Sequence, residues 1–384
     1  MNYTEPTKFG YYTVGSKLVF SKIEALELSD RLNQSIQFHY NDEVFSLCNW
    51  ASEPESTLSE YYKIRARQLR LKYDYLVVFY SGGADSHNML ESFVNAGVFP
   101  DEIVSFHSYA ADQNRNSSFN KEVFETAVPY VRKIKSQGRL PKHVQHRLID
   151  MSNIIKQFND EINWSEFEYY FNSTVSINNV ARSKLREYIR DWKDLIDSGK
   201  TLCLVWGHDK PRVMHIDGEF CLQFMDLFDN CASVYNQQFL TPGYFDEMFY
   251  STPDLPELVI KQAHVIKNFL QTADVSHPFL TTHVTGLGHV MKPVGDTHVA
   301  HWLTQNAQSY LIYPWFDDKL YYESKPQDII TSKRDTWFWN DAKLSIRFSN
   351  SINNIIHRLG NKWLNLSSTS RSTKNFRTRP YKIG

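Results

Sequence analysis

The stretch Tyr75-Leu76-Val77-Val78-Phe79-Tyr80, followed by Ser81-Gly82-Gly83-Ala84-Asp85-Ser86, decides how this chain is read. Six consecutive apolar residues fit a strand buried on both faces, as in a parallel sheet. An amphipathic helix follows, with Met89, Leu90, Phe93 and Val94 inward and Gly97 as its stop. Between strand and helix, two glycines let the backbone turn tightly with no Cβ in a ligand's way. The N–H groups of the turn and of the first helical turn then converge, and the helix dipole favours an anion there. Ser81 and Ser86 add hydroxyls. Asp85 would repel a bare phosphate, so its presence predicts Mg2+ between the two. A serine-capped glycine turn would also serve plain strand–helix packing. Six positions in the right strand–loop–helix context favour the phosphate reading.

Further strands are expected at 103–106, 144–149 and Leu202–Trp206, with helices over 118–135 (interrupted near Pro129), 153–159 and 178–197. This alternation predicts an α/β fold, a doubly wound parallel sheet with helices on both faces. Residues 1–72 read as a small N-terminal αβ unit and 73–220 as the core. Residues 221–384 read as a mostly helical or irregular substrate or lid region. In an open parallel sheet, ligands bind beyond the carboxyl ends of the strands. That rule selects His107 and Ser108 after the second strand, although His107 equally suits a packed core. After the fourth strand it selects Gly207-His208-Asp209-Lys210-Pro211-Arg212, where two cations are suited to neutralising a leaving anion.

The 384 residues imply roughly two to three domains. A hydrophobic share of 42% against 22% charged excludes a disordered chain. Lys and Arg number 42 and Asp and Glu 43, so global charge favours no nucleic-acid role. Four cysteines without CxxC spacing, no visible leader and no long apolar run lead us to expect a cytoplasmic protein with no membrane association. His283, His289, His298 and His301, and the pair His143 and His146, have zinc-like spacings but no neighbouring cysteine. We read the first group as a substrate wall. Past Asp341 stand nine Lys or Arg and no acid. The stretch 367–384 is therefore expected to be a mobile basic tail that orders over a polyanion, nucleic acid included.

Ser81-Gly82-Gly83-Ala84-Asp85-Ser86 matches the signature Ser-Gly-Gly-x-Asp-Ser. The segment resembles the N-type PP-loop ATP pyrophosphatases of the adenine nucleotide alpha-hydrolase-like superfamily, including the synthetase domain of asparagine synthetase. The likeness covers about residues 73–215. Segments Phe249-Tyr250-Ser251-Thr252-Pro253-Asp254 and Lys261-Gln262-Ala263-His264 resemble stand-alone phage members, which would put the protein in a host cytoplasm. The resemblance implies ATP and Mg2+ as cofactors, with Asp85 on the metal and the loop on pyrophosphate. AMP passes to a carboxyl, amide or nucleobase carbonyl oxygen, and a nitrogen nucleophile displaces it. It also implies a phosphate-facing role for Arg182 and a nucleotide-side role for Gly207 and His208, with Lys210 and Arg212 as catalytic cations. The loop after Leu202–Trp206 departs from the lysidine synthetases, which carry more acid there, and this leaves the substrate open: a small molecule, a free nucleobase or one in nucleic acid. A lysidine- or deazaguanine-synthase-like nucleobase enzyme is the rival reading, and a sulfonucleotide reductase or sulfurylase relative a weaker one. A homo-oligomer fits either.

Overall fold

The computed structural model describes residues 9–108, 118–161, 181–182, 184–207, 210–226, 242–272, 305–317, 320, 342–366 and 371–384. Chain order gives strands β1 (Tyr11–Val14), β2 (Lys17–Val19), β3 (Ile36–His39), β4 (Tyr75–Phe79), β5 (Glu102–His107), β6 (Gln145–Asp150) and β7 (Leu202–Trp206). β8 (Arg212–Ile216), β9 (Glu219–Gln223), β10 (Tyr244–Met248), β11 (Leu364–Leu366), β12 (Arg371–Thr373) and β13 (Tyr381–Lys382) follow.

The central sheet runs β10-β7-β4-β5-β6, with every pair parallel. From β4 the chain steps outward through β5 to β6, then returns to place β7 on the other side of β4 and β10 beyond it. This is the doubly wound α/β order, and its direction reverses between β4 and β7. The four strands expected from the sequence form within a residue or two of their expected ends. The fifth, β10, comes from beyond residue 220, where the alternation fades.

The helix Leu58–Lys72 begins with a capping box: Glu60 N–H donates to Thr57 Oγ1, and Thr57 N–H donates to Glu60. It delivers Arg65 to the buried Glu247 of β10, Nη2 to Oε2, at 3.0 Å. The expected helix over 118–135 is interrupted upstream of Pro129. Residues Ser118–Lys121 and Val128–Ser136 are α-helical, and the Glu122–Ala127 stretch between them is π-helical. Pro129, which has no N–H to give to the preceding turn, follows directly on the π-helical stretch, so the interruption falls where the sequence places it.

The N-terminal unit is a β2-β1-β3 antiparallel sheet carrying the helix Lys22–Leu32. It shares one apolar core with the central sheet and the C-terminal strand. Lys22 and Asp226, both fully buried, pair at 2.7 Å, and Tyr12 Oη donates to the same carboxylate at 3.1 Å.

The expected mobile tail is corrected by the described part of the C-terminus. β13 pairs antiparallel with β9, extending the β8–β9 hairpin. Tyr381 stacks on Trp50 with ring centroids 4.9 Å apart, and Ile383 is fully buried. Acids earlier in the chain meet four of the nine cations past Asp341: Arg358 meets Glu27, Lys362 meets Asp30, Lys382 meets Glu219 and Arg347 meets Asp160. A count confined to the region past Asp341 missed them because every partner lies earlier in the chain.

Ending the chain after Thr373 therefore removes two buried apolar side chains, Tyr381 and Ile383, worth together about 4 kcal/mol. We expect a clear fall in melting temperature, read by calorimetry. An unchanged melting curve would show that the terminal strand is not part of the core.

Candidate active site

β4 ends at Phe79, and Tyr80 leads into the loop that opens the helix Ala84–Ala96. Gly82 has φ +88°. A Cβ there would lie 2.8 Å from the Glu122 carbonyl oxygen and 3.0 Å from Thr126 Cβ. The π-helical stretch thus forms a wall against the loop, and only glycine fits between them. Gly83, by contrast, has φ −77°, which any residue adopts.

The loop is braced by its own serines. Ser81 N–H donates to Ser86 Oγ at 3.1 Å, and Gly83 N–H donates to Ser81 Oγ at 3.1 Å. Ser86 Oγ donates to the Gly83 carbonyl at 3.0 Å. Ser81 Oγ reaches Glu122 Oε1 at 3.2 Å. These hydroxyls hold loop shape in this state. The N-cap residue of the 13-residue helix is Gly83, which has no side chain to cap the first turn. Its first N–H groups, at Ala84, Asp85 and Ser86, are the anion-directed donors expected of such a turn.

Asp85 lies on the first turn, with its side chain 34% exposed. Lys210, from the loop after β7, pairs with Oδ1, and its own side chain is only 4% exposed. The two loops that flank the reversal between β4 and β7 therefore meet through one ion pair. Gly207 permits the approach, since a Cβ there would stand 3.2 Å from Met89 Cε and 3.4 Å from the Asp85 carbonyl.

Two tyrosines that the sequence reading did not assign to the site complete it. Tyr313 follows the helix Gln305–Ile312, and its hydroxyl donates to Asp85 Oδ1 at 2.6 Å. Tyr250, just past β10, donates to the Asp85 carbonyl at 2.5 Å and accepts from Asn88 Nδ2 at 3.2 Å. The two rings stack with centroids 5.3 Å apart. Lys210 Nζ sits 5.4 Å from the Tyr313 ring centre. Burial, then the Asp85 carboxylate, pushes the Tyr313 phenol well above the usual tyrosine range. Burial does the same first for Tyr250. Both stay protonated donors at neutral pH. A segment count along the chain gives no sign of them, because 228 positions separate Tyr313 from Asp85.

Other expected residues fall into distinct places. His107 ends β5, buried and packed against Phe124, and burial pulls its pKa down. Ser108 is clamped by Asn120, which donates to its carbonyl at 2.8 Å and accepts from its N–H at 2.9 Å. Arg182 lies 5.7 Å from the ring centre of Phe106 and 5.8 Å from that of Trp206. Phe79 stacks between those two rings, at 5.1 and 4.0 Å. Arg182 thus covers an aromatic floor at the ends of β5, β4 and β7. Arg212 is not a loop residue: it opens β8, in register with Gln223 of β9. His208 and Asp209 lie outside the described residues, as do Cys231 and the histidines 283, 289, 298 and 301. His146 bonds Ser105 Oγ at 3.0 Å. Among the described residues, no group of three or more His, Cys, Asp or Glu is placed to hold a metal. No described helix is long and apolar enough to cross a membrane.

Substituting Gly82→Ala should cost roughly 1–3 kcal/mol, from positive φ and from the contact with Glu122. It should also weaken pyrophosphate binding. Melting curves with and without pyrophosphate check this; a variant as stable and as well protected as the parent would refute the wall.

No family model matches this chain, and no curated protein does. Among solved structures it is similar to NMN synthetase from Francisella tularensis. The two share 12% identity over 82% of this chain and 99% of that one, with a TM-score of 0.27. A superposition that loose assigns no residue roles, and the fold stands on the strand order itself.

Proposed function

We propose that the protein is an adenylating enzyme of the N-type PP-loop kind, which cleaves ATP to AMP and pyrophosphate. The observation that carries the reading is the glycine-started helix N-terminus at the sheet's reversal point, with Asp85 and Lys210 meeting across it. Binding at a reversal point is the general rule for open α/β sheets.

The residues present fit Mg2+ with a polyphosphate. Mg2+ is held by one or two carboxylates together with substrate phosphates rather than by an all-protein cage. Asp85 offers one such carboxylate, partly exposed and beside the N–H donors. Bound there, the metal would neutralise charge on the phosphate oxygens. The chain's own contribution is positional. Ala84, Asp85 and Ser86 N–H groups bind the β- and γ-phosphates. Lys210, now paired with Asp85, exchanges that partner for the leaving pyrophosphate, keeping its charge inside the site.

In the reaction, an oxygen of the acceptor carboxyl, amide or nucleobase carbonyl attacks the α-phosphorus. The bond from that phosphorus to the bridging oxygen breaks, and its electron pair leaves on pyrophosphate. A nitrogen nucleophile then attacks the activated carbon, and AMP departs with the C–O electron pair. The nitrogen's proton passes to solvent. Burial of Lys210 and the ring of Tyr313 limit water at the phosphate end, which protects the adenylate from hydrolysis.

ATP labelled at the α and γ positions, incubated with Mg2+ and pools of amino acids, nucleobases or tRNA, should yield AMP and pyrophosphate. Asp85→Asn should lower that yield roughly 10- to 100-fold. ADP and inorganic phosphate as the sole products would refute the reading.

A further inference from the structure

The hydroxyl of Tyr313 is the one side-chain donor besides Lys210 that is described on the Asp85 carboxylate, and it arrives on a segment built to hold it still. The carbonyl of the preceding residue, Ile312, accepts from Tyr62 Oη at 2.9 Å. Tyr62 in turn accepts from Gln262 Nε2 at 2.7 Å. Tyr62 and Gln262 are fully buried and lie on two different helices, Leu58–Lys72 and Pro256–Thr272. Tyr62 meets Tyr250 edge-on at 5.7 Å, and Tyr250 stacks on Tyr313. Three tyrosines from three parts of the chain thus form one block, and two of its hydroxyls reach the same residue: Tyr250 donates to the Asp85 carbonyl and Tyr313 to the Asp85 carboxylate.

That arrangement exceeds what packing needs. A phenylalanine would fill the same ring position. The phenol adds a 2.6 Å charge-assisted hydrogen bond to a carboxylate that also pairs with the Lys210 amine. A lysine can follow an incoming anion; a tyrosine pinned through its backbone and its ring cannot. When Lys210 moves to the phosphate, the phenol is what keeps Asp85 from rotating with it.

We propose that Tyr313 is a positioning residue that fixes the Asp85 carboxylate for the metal-bound phosphate of the nucleotide. The inference rests on the ATP reading given above. Carboxylates that bind metals are themselves oriented by hydrogen-bond donors, and removing such a donor typically weakens metal affinity or activity about 10- to 100-fold. The Tyr313 donor therefore belongs to metal-dependent binding and not to nucleotide binding in general.

The test is calorimetric titration of the full chain with ATP at stepped Mg2+ concentrations, and with ATP in EDTA. The parent, Tyr313→Phe and Tyr62→Phe are compared, each with its melting curve. Tyr313→Phe retains the ring stack and loses only the hydroxyl. We expect it to need roughly tenfold more Mg2+ for half-maximal ATP binding. Its metal-free ATP affinity and melting temperature should stay near the parent's. Tyr62→Phe, which loosens the same segment without touching Asp85, should shift the metal dependence less. An unchanged Mg2+ requirement in Tyr313→Phe overturns the proposal, as does an equal shift in Tyr62→Phe. A melting temperature lower by more than about 5 °C also overturns it, since the hydroxyl would then serve the fold. Failure of the parent to bind ATP under any condition is a separate result: it removes the nucleotide reading, and this inference with it.

Discussion

The side-by-side pairing of β4 and β7, whose partners stand 127 positions apart in the chain, is the constraint on which the rest depends. Backbone bonds from Tyr75↔Leu202 to Val78↔Val205 fix the two strands in parallel register. Their carboxyl ends must then open at the same level. That brings the loop at Ser81 and the loop at Gly207 to one crevice, whatever else each loop contains. The Asp85–Lys210 pair follows from this registration: neither residue could find the other from sequence proximity. Phe79 stacked on Trp206 at 4.0 Å continues the same alignment on the neighbouring ring layer.

Among the described residues, several buried acids are held by more than one donor. Glu247 accepts from Arg65 and Tyr73 and pairs with Lys72; Glu102 accepts from Trp192 and Arg147; Asp246 accepts from Trp206 and Arg186. Removing one member of such a set would strand a charge in a dry interior, at a cost of about 3–5 kcal/mol. These networks sit at strand ends and edges, where they fix register rather than perform chemistry. The Asp85 group differs in one respect. Its carboxylate is a third exposed, so an ion from solution can reach it.

Much of this was legible in the residues. β4, β5 and β7 are buried on both faces, and burial writes itself into sequence as a continuous apolar run. The loop announced itself through its glycines and its position after such a run. β10 did not, because Tyr244-Phe245-Asp246-Glu247-Met248 carries two acids in its centre. Both are buried, and the groups that neutralise them, Arg186 and Arg65, come from far away in the chain. A local reading takes those acids for surface. The same blindness hid the tyrosines at 250 and 313, and it made the C-terminal cations look unanswered. Arg212 was misplaced for the opposite reason. Its neighbours Lys210 and Pro211 look like loop, yet the next residues alternate as a hairpin strand.

The π-helical stretch at Glu122–Ala127 has a consequence for how this protein can change in length. A π turn carries an extra residue relative to an α-helix, so the faces before and after it are out of phase. Here the phase is what turns the Glu122 carbonyl, Thr126 and Ala127 toward Gly82. Inserting or deleting a single residue between Ser118 and Glu125 would rotate the downstream turns by about 100°. The wall behind the Ser81–Ser86 loop would then present a different side chain, and the loop would lose the surface it is shaped against. Substitutions that keep small groups at 126 and 127 leave that phase intact. Along this stretch, the number of residues is therefore a stricter constraint than most of their identities.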